Sequence, residues 1–299
     1  MKKTFRFTVD LDRDVNFPVP GQVAAGSLDR GSGTAPRFSS AERGLRILLD
    51  VLDDAGMKAT FFVEGRTAET IDCSCISGHR IGFHGYDHED LSGASTGLSF
   101  DPGEKESILR KGFDAVSDNV SRPVCFRAPY MVRDETALSV LPQLGIRADS
   151  SVYSFGECEP FDIDGIIEYP VPKSRDAAGK VIAAYLWPMH EGKRPPEDYV
   201  RMAEGMGTFM LATHTWHMCE RRDAGIMDEA DIRRNADNVL SVLTGILDSG
   251  FVPDVVNRCL FRPMHGCHSR FRTFFSCSQV VPIVNIKKGN PLSQSQVFK

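Results

Sequence analysis

The stretch Arg80-Ile81-Gly82-Phe83-His84-Gly85-Tyr86-Asp87-His88 sets the reading of the whole chain. A short strand over residues 80–84 feeds two histidines four residues apart. That spacing predicts both imidazoles on one side of a helical turn, within reach of a single cation. A carboxylate at another strand end would supply the third ligand and leave a fourth position for water. Such an open position marks a catalytic rather than a structural zinc site. A His-x₃-His pair alone is weak, because many polar helix faces carry it. Its weight depends on the segments around it.

Outward from the pair, residues 5–10 alternate Phe5, Phe7 and Val9 with polar neighbours, a strand pattern that ends in Asp10-Leu11-Asp12-Arg13-Asp14. Residues 59–63, 124–127, 146–149, 181–186 and 208–213 also read as strands. Helices fall between them. Ser39 and Glu42 form a capping box ahead of a face of Leu45, Leu48, Leu49 and Leu52, and Gly56 closes that helix. Asp101 caps a helix that begins Pro102-Gly103-Glu104 and reaches about Asn119, and Asp134 opens one to about Gln143. Two more are expected over residues 196–206 and 229–249. Residues 16–38 are rich in Gly, Pro and Ser and form a loop long enough to cover something. This alternation predicts an α/β fold with a parallel sheet, either a barrel or doubly wound.

The polar residues then fall into a pattern. Asp10, Asp12, His84, His88, Arg127, Asp149 and His214 all stand at or just after the C-terminal ends of predicted strands. In a (β/α) barrel that is the active-site face, so they should converge.

Bulk properties bound the function. The 299 residues are 41% hydrophobic and 25% charged, as in soluble globular chains. Residues 1–10 run straight into strand-like sequence with no apolar signal core, and no apolar run could span a bilayer. Eight cysteines then read as reduced thiols, and a cytoplasmic location is expected. All 40 acidic residues lie at or before Asp254; residues 255–299 carry seven basic residues and no acid. The acidic body argues against nucleic acid as a partner. Two parts are expected: a barrel over residues 1–256 and a basic Cys/His-containing tail over 257–299, poorly ordered or foreign to the domain.

Together these segments resemble the polysaccharide deacetylases, the family 4 carbohydrate esterases with the NodB homology domain. The matching motifs are Thr8-Val9-Asp10-Leu11-Asp12, His84-Gly85-Tyr86-Asp87-His88, Arg127-Ala128-Pro129-Tyr130, Asp149-Ser150-Ser151 and Leu211-Ala212-Thr213-His214. The resemblance covers roughly residues 4–253 and implies a distorted or incomplete (β/α) barrel of seven or eight strands. It also implies that Asp12, His84 and His88 hold a divalent metal ion, zinc first, with Co²⁺ or Ni²⁺ as alternatives. Asp10 would be the general base held by Arg127, and His214 the general acid, with a pKa near 7 as suits a histidine. The backbone N–H of Tyr130 would help bind the oxyanion, and Asp149 belongs to the fourth motif. Two departures stand out. The acidic pair is spaced Asp10-x-Asp12 rather than adjacent, and Gly85 replaces a hydroxyl residue beside the ligands.

Plainer readings compete. Arg127 and Asp149 could form an ordinary ion pair at the rim, and Asp14 reads as a solvated loop acid. His79 and His190 read as structural, and His217 as a packed or solvent-facing loop residue. Cys73 and Cys75 are too close for a zinc knuckle, and Cys259, His265, Cys267, His268 and Cys277 fit no zinc spacing. The function expected is metal-dependent hydrolysis of an amide, with N-deacetylation of an amino sugar or polysaccharide first. The alternatives are another linear or cyclic amide, or a catalytically silent metal- or glycan-binding member. A pure binder would need neither Asp10 nor His214.

Overall fold

In the computed structural model the alternating N-terminal segment is β1 (Lys3–Leu11), buried from Phe5 onward. The structure describes residues 2–256 apart from 32, 157 and 177, all within the compact unit Met1–Arg258. The basic tail and its cysteine and histidine cluster lie outside the described residues.

β1 belongs to a nine-stranded sheet with β2 (Thr60–Val63), β3 (Arg80–Phe83), β4 (Cys125–Phe126), β5 (Ala148–Asp149), β6 (Phe161–Ile163), β7 (Ile166–Glu168), β8 (Thr208–His214) and β9 (Phe251–Asp254), and pairs with three of them. The order is β8-β1-β2-β3-β4-β5-β7-β6, and only the β7–β6 pairing is antiparallel. One edge of β1 is shared: β9 pairs with Lys3 through Arg6, and β2 with Thr8 through Leu11. Helices cover the strands, so their side chains are buried on both faces. Phe5, Phe7, Phe61, Phe62, Phe83, Phe126 and Phe209 all fill the core with no exposure.

The barrel is incomplete, because β6 and β8 do not pair. A second sheet spans the gap. Strand Val171–Arg175 pairs with Tyr153–Phe155 and Val181–Ala183. The chain then crosses to β8, where Leu186 N–H donates to Ala212 O (2.8 Å) and Ala212 N–H to Ala184 O (2.9 Å). The strand expected over residues 181–186 is thus split between a side sheet and a bridge. The strands Phe161–Ile163, Ile166–Glu168 and Phe251–Asp254 are additional to those the sequence predicts, since three or four residues are too short to show a period.

The helices are α1 (Ser39–Asp54), α2 (Gly65–Thr70), α3 (Pro102–Asn119), α4 (Glu135–Val140), α5 (Trp187–His190), α6 (Glu197–Glu204) and α7 (Glu229–Asp248). α3 starts with the reciprocal Asp101–Glu104 capping box. α4 stops short of Gln143 because Pro142 cannot continue it. α1 corrects two expectations at once. The Ser39 side chain does not cap it; the carboxylate of Asp14 does, accepting from Ser40 N–H (3.0 Å) and Ala41 N–H (2.7 Å). Asp14 is therefore a buried helix cap rather than a solvated loop acid, its charge making the stronger acceptor. At Gly44 a Cβ would lie 1.9 Å from Thr215 O, so α1 packs directly on the turn after β8.

Candidate active site

The expected convergence at the strand ends is largely present. Asp10 lies in register with His214, the last residue of β8. His84 follows β3, and Arg127 follows β4.

Asp12, His84 and His88 each offer one ligand atom, and these atoms lie within 4.8 Å of one another. His88 Nε2 stands 3.3 Å from Asp12 Oδ2. His84 Nδ1 is 2.8 Å from the Arg127 carbonyl, which can only accept, so the proton sits on Nδ1 and Nε2 presents its lone pair. Asn16 Nδ2 donates to Asp12 Oδ2 (2.5 Å). Asp12 Oδ1 and His88 Nδ1 are buried without a hydrogen-bond partner among the described residues. Burial, then Asp10 and Glu64, push the Asp12 carboxyl well above its ordinary range; burial and His84 push His88 well below its own. A divalent cation would offset the cost of the buried carboxylate and use the neutral imidazoles, so the residues fit one.

The histidine pair does not ride on a helical turn. Residues 84–88 form a loop in which Gly85 (φ +72°) and His88 (φ +53°) are left-handed. The loop wraps the buried Glu89 carboxylate, which accepts from Tyr86 N–H (3.0 Å) and Asp87 N–H (2.8 Å). A Cβ at residue 85 would lie 2.7 Å from Glu89 Oε2, which accounts for the missing hydroxyl residue. Burial pushes Glu89 up to about 7. Arg13, fully buried, ties this loop to β1. It donates to Glu64 Oε1 (2.7 Å) and Asp87 Oδ1 (2.8 Å), and also to the Ala25 carbonyl in the 16–38 segment.

The second group surrounds Asp10. Arg127 Nη1 donates to Asp10 Oδ1 (2.8 Å), and its remaining donors go to Thr8 Oγ1, Ser150 Oγ and Ser150 O, each at 2.9 Å. Burial raises the Asp10 carboxyl, but Arg127, His84 and His214 together bring it below its ordinary range. The Tyr185 hydroxyl donates to Asp10 Oδ2 and lies 3.3 Å from His214 Nε2. Burial pushes His214 down to about 3 against the pull of Asp10. Its ring is therefore neutral at pH 7, not poised near 7, and an acid role requires it to gain a proton during the reaction.

Tyr130 sits at φ +58° and Met131 at +57°, conformations costing about 1–2 kcal/mol each for residues with a Cβ. The Tyr130 ring meets His88 edge-on at 4.5 Å. Asp149 is the expected residue that the described hydrogen bonds leave out of the cluster. It accepts from Arg133 (3.0 Å) and Ser151 Oγ (2.5 Å), and Ser151 in turn accepts from Ala128 N–H (2.8 Å). The rim pair Arg127–Asp149 is also not made: Arg127 pairs with Asp10, and Arg133 with Asp149 and Glu168. His217 and His190 are buried, His190 between Asn235 and Thr213. Sequence reasoning missed Tyr185, Asn16, Arg13 and Glu64. Tyr185 had a signal, a polar residue near the end of a predicted strand.

An incomplete parallel α/β barrel with an Asp-His-His cluster and a clamped second aspartate defines the class. The family model for polysaccharide deacetylase matches residues 22–148, which include His84, His88, Arg127 and Tyr130 but not Asp10, Asp12, Asp149 or His214. A peptidoglycan deacetylase-like protein of Gibberella zeae is 31% identical over 160 residues, 50% of this chain and 45% of the relative. A chitin deacetylase of Arthroderma benhamiae is 32% identical over 105 residues, 32% of this chain and 27% of the relative. The chain thus matches less than half the length of these relatives. A crystal structure assigned to a polysaccharide deacetylase from Mycobacterium smegmatis shares the fold at TM-score 0.51 and 21% identity, covering 87% of this chain and 96% of the other. Residues 22–148 are thus similar to the polysaccharide deacetylase family, and the solved structure shares the fold.

Proposed function

We propose that the chain is a divalent-metal-dependent hydrolase of amide bonds that removes the N-acetyl group of an amino sugar. The observation that carries this reading is the buried Asp12-His84-His88 cluster beside Asp10, with His214 in register across the sheet. The names of the matched relatives, chitin deacetylase and peptidoglycan deacetylase-like protein, support the substrate class.

Asp12, His84 and His88 would hold the ion, zinc in first place and Co²⁺ or Ni²⁺ as alternatives. When bound, it would lower the pKa of a water and polarise the acyl carbonyl. Asp10, fixed by Arg127, takes the proton of the attacking water. The Tyr130 N–H would help bind the developing oxyanion, on a backbone held left-handed at 130 and 131. His214 gives a proton to the departing amine. Asp149 acts at one remove, through Ser151 and the Ala128 N–H, on the backbone leading to Tyr130.

A second reading, a small linear or cyclic amide, is favoured by burial. Asp10, Asp12, His84 and His88 are at most 2% exposed and His214 7%. The 16–38 segment also bonds to the histidine loop, Ala25 N–H to Asp87 O at 2.9 Å. The deciding experiment measures acetate or amine release from N-acetylglucosamine, its oligomers and small amides, with zinc and with chelator. Turnover of oligomers sinks the second reading, turnover of small amides alone sinks the first, and no turnover leaves a silent binder.

A further inference from the structure

Tyr185 lies outside the sequence motifs and outside the residues that the family model matches. The segment spanning the open side of the barrel carries it inward. Residues 184 and 186 are fastened to Ala212 of β8, and the Tyr185 carbonyl accepts from the Tyr199 hydroxyl (3.1 Å). The side chain is buried, and its hydroxyl meets two functional groups at once, Asp10 Oδ2 and His214 Nε2. A tyrosine serving only the core would need one acceptor. The other oxygen of Asp10 is held by Arg127, and His214 Nδ1 has no partner among the described residues. The Tyr185 hydroxyl therefore bonds both the proposed base and the proposed acid.

We propose that Tyr185 passes on to His214 the proton that Asp10 takes from water. The inference rests on the proposed roles of Asp10 and His214. In the transfer, the O–H bond of protonated Asp10 breaks as its proton moves to Tyr185 Oη. The tyrosine O–H bond breaks as its own proton moves to His214 Nε2. Asp10 returns to carboxylate, Tyr185 ends as it began, and His214 becomes the imidazolium that protonates the leaving nitrogen. No electron changes hands.

The test uses Tyr185→Phe in the full, zinc-loaded chain and two substrates with the same acyl group. One is an N-acetyl amide, whose amine leaves only when protonated. The other is 4-nitrophenyl acetate, whose phenolate leaves without a proton. Relay predicts that kcat on the amide falls by ~10²-fold or more while the ester rate falls by no more than a few fold. Zinc content by elemental analysis should be unchanged. His214→Ala should reproduce this split, and Asp10→Asn should lose both activities. Equal losses on both substrates would mean that Tyr185 only orients Asp10, and no loss on the amide would remove it from the reaction; either result overturns the relay. A wild-type chain that cleaves neither substrate, or an Asp10→Asn variant that cleaves both, overturns the functional reading, and the relay with it.

Discussion

Neutralising Asp10 and neutralising Asp12 should move stability in opposite directions when the protein is held in chelator. Asp10 is the counter-charge of the fully buried Arg127. Its two oxygens accept from Arg127 and Tyr185, so an amide NH₂ at this position would face a donor. Breaking a buried ion pair from one side costs about 3–5 kcal/mol. At about 2–4 °C per kcal/mol for a domain of this size, Asp10→Asn should lower Tm by ~6–20 °C. Asp12 is the reverse case. Burial, Asp10 and Glu64 raise its folded-state pKa well above the unfolded value, so its ionisation disfavours the fold above the unfolded pKa and costs nothing below it. Asp12→Asn removes that cost at pH 7, and its amide oxygen can still accept from Asn16. Its Tm in chelator should hold or rise. Zinc at a hundred times its Kd should then stabilise the wild type and Asp10→Asn by about 2.7 kcal/mol, and Asp12→Asn by little. Circular dichroism melts with EDTA and then with zinc read all of this. Equal drops for both variants would refute the electrostatic reasoning. A zinc response kept by Asp12→Asn and lost by Asp10→Asn would show that the two roles are exchanged.

His88→Ala should bind no zinc by elemental analysis; one full equivalent retained would place the ion away from this cluster. Asp14→Ala removes the cap of α1 and leaves two buried N–H groups without an acceptor, so urea unfolding should show a loss of about 2–3 kcal/mol. Val256 is buried and its N–H donates to Thr60 Oγ1 (3.0 Å). A chain ending at Asp254 should therefore unfold about 2–3 kcal/mol more easily than one ending at Arg258, and identical denaturant midpoints would contradict this. Burial pushes His190 down to about 4 from 6.5, so the unfolded chain binds the extra proton between those values and stability falls as pH drops through that window. The loss is about 3 kcal/mol, and His190→Asn should flatten that part of the stability-pH curve.

The sequence determined the class of fold and most of the site, because both depend on short-range patterns. The alternation of Phe5, Phe7 and Val9 announced β1, and the Asp101–Glu104 box announced α3. Placing the polar residues at strand ends then required only that parallel strands end on one face, and Asp10, Asp12, His84, His88, Arg127 and His214 meet accordingly. What the tertiary structure alone decided depends on residues far apart in the chain. Asp14 caps a helix 25 residues away because the chain returns past it, and no local spacing encodes that. The His84–His88 loop owes its shape to Glu89 and to the Arg13–Asp87 tie, not to helical periodicity. Arg127 chose Asp10 over Asp149 because Arg133 took Asp149, a competition settled only by position in space. Tyr185 reached Asp10 and His214 only because the barrel stays open and the segment crossing the gap turns its hydroxyl inward.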